Sequence, residues 1–183
     1  LFRSLQLVTL KDGGPSAATT DDKSYLGLQI EDFSAELLGI DGLTLRAYGA
    51  NVQVTGVGGT GTTSASWGVM VYVGSSHISA GGTGSVTVHG TGGSSAGGVN
   101  IGTLVTSQNA SIRSANGPVQ ITGIGGVGGA NNDGVRCQNT ADISVGGTNS
   151  LTVTGTGGSG TGGSHFGVVC TTTGGQITTG GGN

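Results

Sequence analysis

One five-residue phrase returns four times along this chain. The runs Val52-Gln53-Val54-Thr55-Gly56, Val86-Thr87-Val88-His89-Gly90, Val119-Gln120-Ile121-Thr122-Gly123 and Leu151-Thr152-Val153-Thr154-Gly155 begin 34, 33 and 32 residues apart. Each sets apolar residues two apart with polar residues between and after them, the period of a strand with one buried face. A stretch of Gly, Ser, Thr and Asn follows in every copy. Next comes a second apolar pair, read as Val69/Val71, Val99/Ile101, Val135/Cys137 and Val168/Cys170, and then a third short strand around Ile78, Ile112, Ile143 or Ile177. A unit of about 33 residues with so few aliphatics cannot enclose a core alone, so the copies must stack.

Stacked copies make a solenoid. If each repeat is one coil, equivalent strands pair in parallel at about 4.8 Å and their inward aliphatics form axial ladders. Parallel crossover connections are overwhelmingly right-handed, so the expected fold is all-β: a right-handed parallel β-helix with about 33 residues per coil. A sandwich of meanders would need tight hairpin turns, and the linkers after the first strand are too long for those. Composition agrees. Glycine takes 42 of 183 positions, which disfavours helix, while the scarcity of proline excludes collagen.

The repeats are placed at 52–85, 86–118, 119–150 and 151–183, preceded by a divergent first coil or capping region at 1–50. Leu5, Leu7, Leu28, Ile30, Leu43 and Leu45 in that region alternate suitably, but most of the charged residues also lie there. The later part is nearly neutral. It offers no stripe to neutralise phosphates and no polybasic segment for anionic lipid, so neither nucleic acid nor a membrane surface is expected as a partner. No apolar run reaches the roughly 18 residues of a spanning helix. The chain reads as a piece of a longer polypeptide.

Several phrases imitate chemistry. Gly56-Val57-Gly58-Gly59-Thr60-Gly61 has the dinucleotide-loop spacing but lacks the following helix and the acidic residue that give the spacing meaning. Gly93-Ser94-Ser95-Ala96-Gly97 has the form of a nucleophile elbow, again with no helix after it. His77, His89 and His165 occupy unlike places in their repeats and read as solvent-facing. Asp133, Asp142, Arg113 and Arg136 are the charged residues after position 50; Asp133 and Arg136 read as a weak surface pair. Metal-ligand spacings are missing. The expectation is therefore no catalytic, cofactor-binding or metal-binding residue, and no enzyme.

Cys137 and Cys170 fall at one repeat position and should both point inward, one coil apart. That spacing admits a disulfide, although the residue type favours buried thiols over a bridge. Asn109-Ala110-Ser111 is a glycosylation sequon where the producing cell uses them.

The phrasing Val153-Thr154-Gly155-Thr156-Gly157-Gly158, then Phe166-Gly167-Val168-Val169-Cys170, then Gln176-Ile177-Thr178-Thr179-Gly180-Gly181 resembles the Gly-rich β-helix repeats of filamentous-haemagglutinin-like and autotransporter-type bacterial surface proteins. The likeness spans about residues 45–183. It implies a secreted or surface-exposed fibre, stalk or adhesin. Partners would be other copies stacked head to tail into a filament, the continuation of a longer chain, or a host or matrix glycan or protein. A different reading gives outward threonines such as Thr87, Thr122 and Thr152 a flat face for glycan or ice; a polysaccharide-active β-helix enzyme comes third.

Overall fold

The computed structural model describes residues 4–11, 24–31, 44–62, 65–171 and 174–180, with 4–11, 24–31 and 44–48 described through their backbone. Residues divide into two compact units, 1–35 and 36–183. In the first unit, β1 (Ser4–Lys11) and β2 (Ser24–Glu31) form an antiparallel pair in which Leu5 faces Ile30 and Leu7 faces Leu28. These four aliphatics thus alternate as expected of strands, within an antiparallel pair. Leu43 lies outside the described residues.

The second unit is a parallel β-solenoid of four coils. It opens with β3 (Thr44–Tyr48). The first coil holds β4 (Val52–Val57), β5 (Thr60–Gly61), β6 (Val69–Val71) and β7 (His77–Gly81). The second holds β8 (Val86–Thr91), β9 (Ser94–Ser95), β10 (Thr103–Thr106) and β11 (Ser111–Ser114). The third holds β12 (Val119–Ile124), β13 (Val127–Gly128), β14 (Val135–Gln138) and β15 (Asp142–Gly146). The fourth holds β16 (Leu151–Thr156), β17 (Ser159–Gly160), β18 (Val168–Cys170) and β19 (Gln176–Gly180). Each coil therefore has four strands where the sequence suggested three, the extra one being a two-residue strand inside the Gly-rich linker.

Four parallel sheets run along the axis. Sheet one stacks β4, β8, β12 and β16; sheet two, β5, β9, β13 and β17; sheet three, β6, β10, β14 and β18; sheet four, β3, β7, β11, β15 and β19. Their registers place like over like. Val54, Val88, Ile121 and Val153 form one ladder, and Leu45, Ile78, Ile112, Ile143 and Ile177 another. Sheet three corrects the reading of the second coil: Val69 and Val71 align with Thr103 and Val105, not with Val99 and Ile101. Val99 instead has a left-handed backbone, φ 61°, and Ile101 is buried at the corner before β10.

Connections between sheets differ in how tightly they are held. From sheet one to sheet two the spacing never changes: Val52 to Thr60, Val86 to Ser94, Val119 to Val127 and Leu151 to Ser159 all run eight positions. The other three corners each vary by one residue between coils. The turns from sheet three to sheet four carry most of the non-glycine residues with positive φ, among them Val73, Ser107, Asn109, Asn139 and Thr140.

Glycine lines the part of the coil around that corner. A Cβ on Gly56, Gly90, Gly123 or Gly155 in sheet one would come within 3 Å of the carbonyl oxygen of Gly68, Gly102, Gly134 or Gly167, the residue just before sheet three of the same coil. Two stretches of backbone touch there with no room for a side chain. A second column, Gly59, Gly93, Gly126 and Gly158, is as tight along the axis: a Cβ on each of the last three would meet the carbonyl of the one below.

Three substitutions check this packing by chemical or thermal unfolding. Gly123→Ala should cost about 1–3 kcal/mol as an overpacked backbone contact, whereas Gly163→Ala, which would meet open space, should be neutral or slightly stabilising. Ile143→Ala, in a ladder with no exposure, should cost about 2–5 kcal/mol. Thr103 is the opposite case. It stands in a ladder otherwise made of valines, and its buried Oγ1 has no hydrogen-bond partner among the described residues. Thr103→Val removes that orphaned hydroxyl and should raise stability by about 1–3 kcal/mol.

Candidate functional site

Polar groups gather at three places on the solenoid. The first is the corner leading into sheet three, where Ser66, Asn100, Asn132 and His165 stack. The backbone N–H of Ser66 donates to Asn100 Oδ1 (3.1 Å), that of Asn100 to Asn132 Oδ1 (3.0 Å), and that of Asn132 to His165 Nδ1 (3.3 Å). In return, each asparagine amide donates one coil onward, Asn100 Nδ2 to Val127 O and Asn132 Nδ2 to Ser159 O, both at 2.9 Å. Both asparagines are fully buried, so these bonds meet the requirement that buried polar groups be paired. Because Nδ1 of His165 accepts, its Nε2 carries the hydrogen. That atom is buried and has no partner among the described residues.

Next to this ladder lies Asp133. Its carboxylate is completely buried, with Oδ2 taking Arg136 Nε at 2.6 Å and Oδ1 taking the Phe166 N–H of the next coil at 2.9 Å. The expected weak surface pair thus joins a fully buried carboxylate to a partly buried guanidinium, and the same carboxylate ties two coils together. Removing one partner would leave an uncompensated charge, at a cost of about 3–5 kcal/mol.

The third place is the outer side of sheet four. There the register aligns His77, Ser111 and Asp142 in one row, and Ser79, Arg113 and Ser144 in the next. His77 and Ser111 are buried, with His77 Nδ1 and Ser111 Oγ 2.9 Å apart. Asp142 Oδ2 accepts from Ser144 Oγ at 2.5 Å. A relay needs imidazole between hydroxyl and carboxylate. Here the hydroxyl stands in the middle, and the Ser111 amide is already bonded to Ser76 O at 3.0 Å. Beside these rows runs a shallow groove of about 510 Å³ lined by Ser79, Arg113, Ser144 and Thr178 with small residues between them.

The histidines therefore differ from expectation. His77 is buried and bonded, His165 is half-buried and built into the corner ladder, and His89 is half-buried in the outward row of sheet one with Thr55, Thr122 and Thr154. Asn109 of the sequon is exposed in a turn, φ 66°. No group of three His, Cys, Asp or Glu residues among those described could hold a metal ion.

The cysteines align as expected, Cys137 beside Cys170 in β14 and β18, but they are not alike. Both are free thiols; Cys137 is buried and Cys170 is exposed. The difference comes from the uncovered face of the last coil. Val135 is 0 % exposed and Val168, one coil on in the same ladder, is 41 % exposed. Burial pushes the Cys137 thiol up to about 12, helped by the neighbouring Cys170, while burial raises Cys170 as well.

Comparison with protein-family models, with curated proteins and with solved structures finds no match to this chain. Among the described residues, no helix is long and apolar enough to cross a membrane. The corner ladder escaped the sequence reading, although Ser66-Trp67-Gly68, Asn100-Ile101-Gly102, Asn132-Asp133-Gly134 and His165-Phe166-Gly167 share a polar-x-Gly signal that would have revealed it.

Alkylation separates the two thiols. Cys170 should react in the native protein and Cys137 only after unfolding, since the thiolate is the nucleophile and its formation is suppressed in the interior. A pKa raised from 9.0 to about 12 means the folded form holds the Cys137 proton more tightly. Stability should accordingly be complete below about pH 9 and decline as pH rises from there toward 12, and Cys137→Val should flatten that decline in alkaline unfolding titrations.

Proposed function

We propose that this chain is a structural segment of a secreted or surface-exposed bacterial β-solenoid, serving as fibre, stalk or adhesin and performing no catalysis. The observation that carries this reading is the last coil. Its inward residues Leu151, Val153, Val168 and Ile177 continue the core ladders, yet they are half-buried or exposed where their counterparts one coil earlier are fully buried. Such a face suits a further coil, supplied by more of the same chain or by a second copy. The resemblance of the repeats to filamentous-haemagglutinin-like and autotransporter-type proteins supports the same role, and so does the employment of buried polar groups in joining coils.

A second reading takes the sheet-four groove as a glycan site. Its hydroxyls and Arg113 recur at the strand spacing, which suits a linear chain laid along the axis. The ice-binding alternative is less suited, because the outward rows of sheet one mix Gln53, Thr87, Gln120 and Thr152, and Thr55 with His89.

Sedimentation and Cys170 alkylation test the end-to-end role together. Association should increase with concentration, and Cys170 should become protected in step. A monomer whose Cys170 reacts at the same rate at every concentration would remove self-association from the proposal. Glycan-array binding lost in Arg113→Ala would favour the groove.

A further inference from the structure

Along the outer side of sheet four, the register sets one residue from every strand in a single row: Arg46, Ser79, Arg113, Ser144 and Thr178. Two positions further along the strands, and so on the same face, come Gly81, Ala115, Gly146 and Gly180. The first row is hydroxyl and arginine; the second has almost no side chains. The step between them forms the groove of about 510 Å³, which is lined from β7 to β19 and therefore runs about 14 Å along the axis. Arg113 stands inside it, exposed. It forms no ion pair among the described residues, where the one ion pair joins Arg136 to Asp133. A guanidinium with its fork open to a groove suits a carboxylate held by two parallel hydrogen bonds.

The row also sets a period. Ser79 separates Arg46 from Arg113, which places the two arginine positions two strand spacings apart, about 9.6 Å. A pyranose ring is about as long as one strand spacing, so rings laid along the axis keep step with the strands. In an extended glycan every second ring presents the same edge, which matches arginine at every second strand. The strand after Arg113 is poorly suited to an acid. Asp142 lies on the same face as Ser144, and its Oδ2 accepts from the Ser144 Oγ, so a ligand carboxylate there would face a like charge.

We propose that the groove binds an acidic glycan in which a uronate alternates with a neutral sugar. One uronate lies at Arg113 and the next at Arg46, with neutral rings over Ser79 and Ser144. The proposal rests on the glycan reading of the groove and adds the charge and the period of its ligand.

Calorimetric titration of the full chain with three oligosaccharides of equal length tests it: a hyaluronan fragment, in which uronate and a neutral hexosamine alternate, a polygalacturonate fragment, acidic at every ring, and a neutral cello-oligosaccharide. Hyaluronan should bind tightest, and its affinity should fall as salt rises. Arg113→Ala should weaken it about tenfold or more, Arg113→Lys should restore only part of that loss, and Arg46→Ala should weaken it as well. Retained protection of Cys137 against alkylation verifies that each variant keeps its solenoid. Cello-oligosaccharide binding as tight as hyaluronan and lost in Arg113→Ala overturns the acidic ligand and leaves the groove reading standing, and polygalacturonate binding as tight as hyaluronan overturns the alternation. Hyaluronan binding unchanged in Arg113→Ala, or no binding of any of the three, overturns both the proposal and the groove reading.

Discussion

The close approach of two backbones inside each coil sets the cross-section on which everything else depends. Where Gly56 meets Gly68, and likewise at Gly90, Gly123 and Gly155, a carbonyl oxygen occupies the place a Cβ would need. The interior at that corner is thin, with backbone set against backbone. Away from it the inward rows of sheets one, three and four, among them Val88 and Ile121, Val105 and Cys137, and Ile112 and Ile143, fill the core. Glycine abundance is thus a packing requirement at defined points rather than a looseness of the chain. It carries an entropic cost on folding, which the stack offsets by burying ladders such as Val86, Val119, Ile112 and Ile143 almost completely.

Polar chemistry follows from the same geometry. A corner that turns sharply leaves backbone N–H and C=O groups pointing away from any sheet, and these need partners. Asn100 and Asn132 provide them by accepting from one coil and donating to the next. Asp133 does comparable work with a charge, accepting from Arg136 in its own coil and from the Phe166 amide in the following one. Every such group joins successive coils, and that is why they gather along the axis instead of around a cavity.

The sequence made the ladders legible because period-2 alternation and the repeat spacing agree at Ile78, Ile112, Ile143 and Ile177. It misled in the second coil. Val99 and Ile101 mimic a strand pair, but Gly102 is the residue that aligns with Gly68 and Gly134, and it pushes the true strand to Thr103 and Val105. The two-residue strands of sheet two were hidden because nothing apolar recurs in them. The partners of His77 and His165 were equally hidden, since they arise from register between coils 32 to 34 residues apart. The exposure of Cys170 could not be inferred from its resemblance to Cys137; it depends on what lies one coil further on, which local pattern does not describe.

The unchanging eight-position run from sheet one to sheet two, set against three corners that each gain or lose a residue, has an evolutionary consequence. Length can change at those three corners without moving a ladder out of register, and the turns from sheet three to sheet four already accept left-handed residues of several kinds. A loop inserted there would leave the stack beneath it intact. Inserted at the glycine corner, the same loop would have to wedge apart backbones that are already in contact. New surface features can therefore be acquired on three edges of the solenoid, at intervals of one strand spacing, while the fourth edge remains closed to them.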